Sequence, residues 1–289
     1  MRRRILILAA AVAALVAVQS CKKDDEGGKT PSKPDTELKA VTLKVMSFNI
    51  RHTGEASDTG DKAWSARRDP VVKMFQYEIP DIVGFQEATT EQVNYLQEKL
   101  PEYAFIAPGN NKCIMYRKDR FTKMKNGQFW LCETPAKQAI GWDAGGYRMT
   151  AWVQLKEKDS NQILFFFDTH LDVDGKNARI NGAALIVDQM KMICGSSAAQ
   201  MVVGDMNTSE DACLSKYGEF LVNARTASPD TDDKGTFNGW KTTVSTQSID
   251  YIFARNVTPL KYETLSGTGY GVPVLSDHNP ISFTFRIEK

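Results

Sequence analysis

The chain has 289 residues, 42% of them hydrophobic and 25% charged, and a net charge of +1. Those values are ordinary for a globular protein and suit one large α/β domain better than two small ones, and no repeat period marks a solenoid. The missing basic surplus argues against a protein built to grip long nucleic acid, where neutralising phosphates drives binding.

The chain opens with MRRRILILAAAVAALVAVQSC, three arginines followed by an apolar stretch from Ile5 to Val18. That stretch falls short of the roughly 20 residues of a membrane span, so it reads as a secretion signal, with a single anchor helix as the alternative. "VQSC" resembles a lipobox whose Cys21 is lipidated and becomes the first mature residue, although Gln19 is not the usual small residue there. The polar run "KKDDEGGKTPSKPDTE" cannot bury apolar surface and reads as a flexible tether. Its "KDDE" resembles the acidic export signal of some Gram-negative lipoproteins. The expected organisation is a signal over 1–20, a tether over 21–38 and a domain over 39–289. An exported monomer follows, anchored to the outer membrane through Cys21, with the cell surface as one option. Without residues 1–20 the chain carries 33 basic and 35 acidic residues, a net charge of −2.

The predicted elements alternate in kind. "AVTLKVMSFNI" (40–50) is a strand ending near Asn49, and residues 65–77 form a helix with Val71, Val72, Met74 and Phe75 on its apolar face. "PDIVGFQEA" (80–88) is a short strand ending in Gln86 and Glu87, and residues 89–100 form a capped helix. Strand-like runs follow at 103–107, 112–117, 121–131, 148–155 and 162–171, and then a helix from 178 to 194. Further strands are expected at 200–207, 248–254, 258–265 and 280–287. Mixed sheets between helices fit this order. Cys113, Cys132, Cys194 and Cys213 match no zinc or CxxC spacing, so disulfides and free buried thiols both stay open.

Polar residues recur where apolar strands end: Asn49, Glu87, His170, Asp205, Asn207, Asp250, Asp277 and His278. Singly, each has a plain explanation. Asn49 suits an Asx-turn, Glu87 a helix first turn, and Asp205 with Asn207 a helix cap. Asp250 between Ile249 and Tyr251 is harder to dismiss, because a buried unpaired carboxylate is expensive. Together, carboxylates with amides and two histidines suit Mg²⁺ and a phosphate oxygen, and they lack the thiolate or multi-histidine pattern of zinc. The chemistry reads as metal-assisted hydrolysis of a phosphate ester.

"MSFNIR", "DIVGFQEA", "DTHLD", "GDMN", "IDYIF" and "SDHNP" occur in the order and spacing of the endonuclease/exonuclease/phosphatase superfamily, which the chain resembles over about residues 43–287. The resemblance implies a deoxyribonuclease I-like four-layer α/β sandwich, two mixed sheets face to face with helices outside. It implies Glu87 as the main Mg²⁺ ligand (Mn²⁺ or Ca²⁺ as alternatives), Asn49 beside it, and Asp277 as a second acid at the metal. Asp205 would activate water, Asn207 hold a phosphate oxygen, and His278, oriented by Asp250, contact the scissile phosphate beside His170. A closer likeness to secreted bacterial members rests on "WSARR", "YRKDRF", "GQFWLCETP", "GWD" and "TFNGW". There Trp130, Trp142, Phe237 and Trp240 are candidate aromatic walls around a small ligand or plain loop packing. Arg148, Arg179, Asn238 and Trp240 are candidate substrate contacts.

The expected function is a metal-dependent phosphoric ester hydrolase acting on a sugar phosphate, inositol phosphate or phospholipid head group. "HLD" is followed by "VDGKNAR" with no long basic insertion, and the loop between Ala107 and Lys112 is short, so a nuclease is the runner-up. A non-catalytic ligand-binding lipoprotein is the third reading, and it requires a lost site residue.

Overall fold

Alternation along each strand decides how this chain stacks, because successive side chains point to opposite faces of a sheet. The computed structural model describes residues 37–243 and 245–289; the predicted signal, Cys21 and the tether through residue 36 lie outside the described residues. In chain order the elements are β1 (Val41–Asn49), α1 (Trp64–Glu78), β2 (Ile82–Gln86), α2 (Thr90–Lys99), β3 (Tyr103–Gly109), β4 (Lys112–Arg117), β5 (Phe121–Trp130) and β6 (Met149–Glu157). There follow β7 (Ile163–His170), α3 (Lys176–Cys194), β8 (Ala199–Asp205), α4 (Asp211–Gly218), β9 (Val222–Asn223), α5 (Ala224–Ala227), β10 (Asp250–Arg255), β11 (Thr258–Thr264) and β12 (Ile281–Ile287).

The strands form two six-stranded sheets, β11-β12-β1-β2-β4-β3 and β5-β6-β7-β8-β10-β9. Both are mixed: β1 runs parallel to β2 and β7 to β8, while their other neighbours are antiparallel. One face of each sheet contributes to a shared core, with Val45, Ile82, Ile114 and Phe283 from the first meeting Val153, Phe166, Val203 and Ile252 from the second. The outer face of the first sheet packs Phe48 and Phe85 against Val71 and Phe75 of α1 and Leu96 of α2. The outer face of the second packs Phe165, Phe167 and Val202 against Ile186 and Met190 of α3 and Tyr217 of α4. This is the deoxyribonuclease I-like sandwich of two mixed sheets with helices outside.

The edge strand β9 and the single turn α5 were not predicted, since segments of 2 and 4 residues carry no periodicity. Cys113, Cys132, Cys194 and Cys213 are free and buried, which resolves the open question of their pairing. Burial pushes the Cys194 and Cys213 thiols up to about 12, so neither is a ready nucleophile.

Candidate active site

The inner-face rows of the sandwich stay apolar for most of their length and turn polar at one end. Along β1 the row runs Leu43, Val45, Ser47, Asn49; along β7 it runs Leu164, Phe166, Asp168, His170; along β8 it runs Met201, Val203, Asp205. β10 runs the other way and begins its row with Asp250, opposite Asp205 in the antiparallel register. His170 lies beside Asp205 in the parallel register of β7 and β8. Parity alone therefore delivers Asn49, His170, Asp205 and Asp250 to the gap between the sheets.

Two glycines let the parts approach. A Cβ on Gly84 would come within 2.5 Å of Val203 Cγ2 and 3.0 Å of Asp168 Oδ1, so glycine lets the sheets close and Gln86 Nε2 reach Asp168 Oδ1 at 2.6 Å. A Cβ on Gly204 would stand 2.1 Å from the Thr169 carbonyl oxygen, which explains the glycine directly before Asp205. Just past the strands, Arg51, Glu87 and Asn207 take left-handed backbone conformations, with φ of 58°, 63° and 49°. For arginine and glutamate this costs on the order of 1 kcal/mol or more each, strain of the kind that collects at functional sites.

Polar bonds then knit both sheets together. Asn49 Nδ2 donates to Asp205 Oδ2 at 3.0 Å and to Glu87 Oε1 at 3.1 Å, while its Oδ1 accepts the Arg51 amide. Asp205 Oδ1 accepts the Asn207 amide at 2.8 Å, and Asn207 Nδ2 donates to the Leu171 carbonyl. His278 Nδ1 lies 2.9 Å from Asp250 Oδ2, and its Nε2 faces Asp205 Oδ2 at 3.7 Å. Thr236 Oγ1 accepts the amides of Ile249 and Asp250, and the Phe237 ring packs edge-on against His278. Of these, Glu87, Asp205, Asn207, Phe237 and His278 border a cleft of about 660 Å³ that also takes in Arg51, His52, Lys112, Arg148, His170 and Asp277, while Asn49, Thr236 and Asp250 support it from behind.

The electrostatics divide the acids. Burial raises Asp205 to about 7, and the neighbouring Asp250 adds to the rise against His278 and the bonds from Asn207 and Asn49. Burial disfavours the His278 imidazolium, but Asp250 and Asp205 outweigh it and lift the pKa to about 10. Burial, reinforced by Lys112 and Arg148, holds His170 well below the usual histidine range. Glu87 moves the other way. Burial opposes its charge, yet attraction to His170 and hydrogen bonds from His52 and Asn49 hold it well below the usual carboxylate range. Because His170 is itself kept neutral, the His52 and Asn49 bonds are the lasting part of that effect.

Among the described residues, Asp205, Asp250 and His278 bring donor atoms within 4.8 Å of one another, a group able to hold a metal ion. Both oxygens of Asp250 face His278 Nδ1, however, so this group is already bonded internally. The acids predicted for the metal, Glu87 and Asp277, sit nearer the cleft mouth, their side chains 20% and 13% exposed. Asp277 Oδ2 has the Arg51 guanidinium at 3.9 Å, and Asn49 Nδ2 braces Glu87 from beneath. An all-oxygen set reaching solvent fits a hard divalent cation that keeps some of its water.

The sequence model of the Endonuclease/Exonuclease/phosphatase family matches residues 46–278. The chain belongs to that family. A solved family member from Bacteroides thetaiotaomicron superposes with a TM-score of 0.79 at 29% identity, covering 86% of this chain and 99% of the other. A mannosyl-6-phosphatase from Bacteroides thetaiotaomicron VPI-5482 superposes with a TM-score of 0.77 at 30% identity, covering 84% and 99%. D. rerio TDP2 complexed with a single-strand DNA product is 21% identical with a TM-score of 0.66, covering 84% and 98%, and shares the fold. In sequence, an uncharacterized protein of Acanthamoeba polyphaga mimivirus is 23% identical over 273 residues, 84% of this chain and 100% of that one. Membership places the chain among phosphoester hydrolases.

Within this family fold, three of the predicted substrate contacts stand off the cleft. Arg179 Nη1 is spent on the carbonyls of Asp172 and Val173, bracing the loop after β7. Asn238 is buried, donating to the Ser276 carbonyl and Asn279 Oδ1 while its Oδ1 accepts the Trp240 amide. Trp240 stacks over Arg67 at 5.2 Å. Of the predicted aromatic walls, Trp130 packs on Tyr147 and Trp142 stands off the cleft, which leaves Phe237 on its border. Arg148 does line the cleft, its Nε fixed on Asp172 Oδ2 at 3.0 Å.

Several cleft residues were not singled out from sequence. His52, whose Nδ1 lies 2.7 Å from Glu87 Oε2, follows "MSFNIR" directly and was legible there as a strand-end histidine. Arg51 closes "MSFNIR" itself, whereas Lys112, Asn110 and Asn111 carried no comparable signal. Arg67 of "WSARR" is, among the described residues, the largest fully buried side chain; it donates to the carbonyls of Lys62, Ile50, Leu275 and Arg51 and so ties the loops that carry Arg51 and Asp277. Asp143 of "GWD" accepts the Asn177 and Ala178 amides at the start of α3, whose N-cap glycine offers no side chain.

Proposed function

We propose that this family member is a Mg²⁺-dependent phosphoesterase that hydrolyses a small phosphate ester, a sugar phosphate foremost, by in-line attack of an activated water. The observation that carries this reading is the convergence of Asp205, the Asp250–His278 pair and Glu87 on one cleft. A carboxylate near 7 is poised as a general base at neutral pH, so Asp205 takes the proton of the attacking water. Asn49, through Oδ2, and the Asn207 amide, through Oδ1, hold that carboxylate in one orientation. His278, kept protonated by Asp250, presents Nε2 to the phosphoryl oxygens, and Asn207 and His170 stand on the same border. As water oxygen bonds to phosphorus, the bond to the alcohol oxygen breaks. A Mg²⁺ held by Glu87 and Asp277 would supply further positive charge beside the phosphate oxygens; Mn²⁺ or Ca²⁺ suit the same ligands.

The size and lining of the cleft favour a small substrate. Across the turn between β3 and β4 lies a second pocket of about 330 Å³ whose polar border is Thr90, Asn94, Gln97, Asn110 and Asn111, with Lys112 shared with the first cleft. Neutral amides and a hydroxyl suit the hydroxyls of a sugar. The 30% identical mannosyl-6-phosphatase supports the same choice. Export on a Cys21 lipid belongs to this reading, and loss of palmitate labelling in a Cys21→Ala protein would support it.

The test is product release from sugar phosphates, inositol phosphates, sphingomyelin, RNA and plasmid DNA, with chelator and Glu87→Ala as controls. Chelator-sensitive turnover of the small esters is expected. Plasmid nicking with no small-ester turnover would sink the substrate assignment, and a fully active Glu87→Ala protein would sink the mechanism.

A further inference from the structure

Lys112 breaks the rule that organises its own strand. It opens β4 opposite Gln86, on the same face as Ile114 and Tyr116 of the shared core. The register thus sends an ammonium group along the inner face to the floor of the cleft, where the residue is 3% exposed. Its backbone is paired with Gln86 and Gly109, but among the described residues its ammonium group makes no hydrogen bond and no ion pair within 4.0 Å. Asp168, the acid with the greatest pull on it, is bonded to Gln86 instead and is itself lifted by burial to about 8, so it offers an incomplete counter-charge. A buried cation left this way is expensive unless something else completes it.

Arg148 stands on the same cleft. Its Nε is fixed by Asp172, while its terminal nitrogens carry no hydrogen bond among the described residues. The two cations lie close enough to act on each other and on His170. The cleft therefore has an acidic pole at Glu87 and Asp277 and a cationic pole at Lys112 and Arg148. A phosphodiester brings one negative charge to such a cleft. A phosphomonoester brings close to two at neutral pH, and three terminal oxygens to be satisfied.

We propose that Lys112, with Arg148 beside it, is the specificity determinant that reads the second negative charge of a phosphate monoester and so sets this site against diesters. The proposal rests on the phosphoesterase reading for its catalytic consequence. Lysine suits the task as a point charge with three donors, able to meet an oxygen wherever it turns. The sequence pattern does not show the determinant, because only the pairing of β4 with β2 aims Lys112 into the cleft.

The experiment uses the full-length protein, Lys112→Met and Lys112→Arg, at neutral pH. Phosphorus NMR titrations follow methyl phosphate and dimethyl phosphate, which differ by one ionisable oxygen. Wild type should prefer methyl phosphate, and Lys112→Met should weaken that ligand about 10- to 100-fold, the worth of one charge-assisted hydrogen bond, while leaving dimethyl phosphate unchanged. Lys112→Arg should recover part of the preference. In turnover, Lys112→Met should depress kcat/KM for p-nitrophenyl phosphate far more than for bis(p-nitrophenyl) phosphate. Its thermal midpoint should be unchanged or raised, which separates the effect from unfolding. Equal weakening of both ligands by Lys112→Met, or no preference in wild type, overturns the proposal. Failure of wild type to hydrolyse either ester would overturn the phosphoesterase reading instead, and the binding titrations would still decide the role of Lys112.

Discussion

Asn49 holds Asp205 across the gap between the two sheets, its Nδ2 3.0 Å from Asp205 Oδ2. The same nitrogen reaches Glu87 Oε1, so one carboxamide spaces the proposed base from the proposed metal ligand. It also favours the ionised form of Asp205. Asn49→Ala should therefore raise the Asp205 pKa above about 7 and move the acid limb of the kcat/KM profile to higher pH. We expect a loss in kcat of about 100-fold, typical of misplacing a general base. An unchanged acid limb would remove Asn49 from the mechanism.

The alkaline limb belongs to His278. With Asp250 intact, the imidazolium survives to about 10. Asp250→Asn removes the charge that outweighs burial, so the limb should fall by about 1 to 3 pH units. A stability effect of the same sign accompanies it. The folded-state pKa of His278 is raised above its unfolded value near 6.5, so its stabilising contribution is full below about 6.5 and lost as pH rises through about 10. In chelator, urea midpoints of the wild type should decline across that window, and those of His278→Gln should decline less.

Metal dependence has a direct readout. Mg²⁺ should raise the thermal midpoint of the wild type, because a ligand that binds the folded state stabilises it. Glu87→Ala and Asp277→Ala should blunt that shift and raise the Mg²⁺ needed for half-maximal activity by about tenfold or more. Chelation should abolish turnover, with recovery on adding Mg²⁺ back.

Arg67 supplies the stability prediction. Its guanidinium donates to four backbone carbonyls from two loops, those between β1 and α1 and between β11 and β12, while stacked between Trp64 and Trp240. Arg67→Met leaves those carbonyls without their donor and should cost about 3 kcal/mol or more in urea unfolding. Arg67→Lys should recover little of it, since a single ammonium cannot serve so many directions at once. Activity should fall with stability, because the loops of Arg51 and Asp277 are the ones released.

What the sequence determined by itself is a matter of parity and punctuation. "VMSFN", "VGFQE", "FFFDTH" and "MVVGD" each place apolar residues at every second position and then a polar one, which is enough to foresee strands that end in a site. Glu87, His170, Asp205, Asn207, Asp277 and His278 on the cleft border were legible from polar residues at strand ends, as were Asn49 and Asp250, which bond Asp205 and His278 from behind it. The tertiary structure decided what alternation cannot carry. Sheet pairing set Asp205 between His170 and Asp250, and the stacking of the sheets, close at Gly84, brought Asn49 to Asp205. Burial from both sides then split the acids, lifting Asp205 while hydrogen bonds held Glu87 ionised. Arg179, Asn238 and Trp240 look as apt in sequence as Arg148, yet their polar groups are spent on loop carbonyls and stacking. Lys112 is the converse, a charge hidden at a strand start that only the register aims at the cleft. Periodicity records which face a side chain takes; long-range pairing determines which charges must share that face.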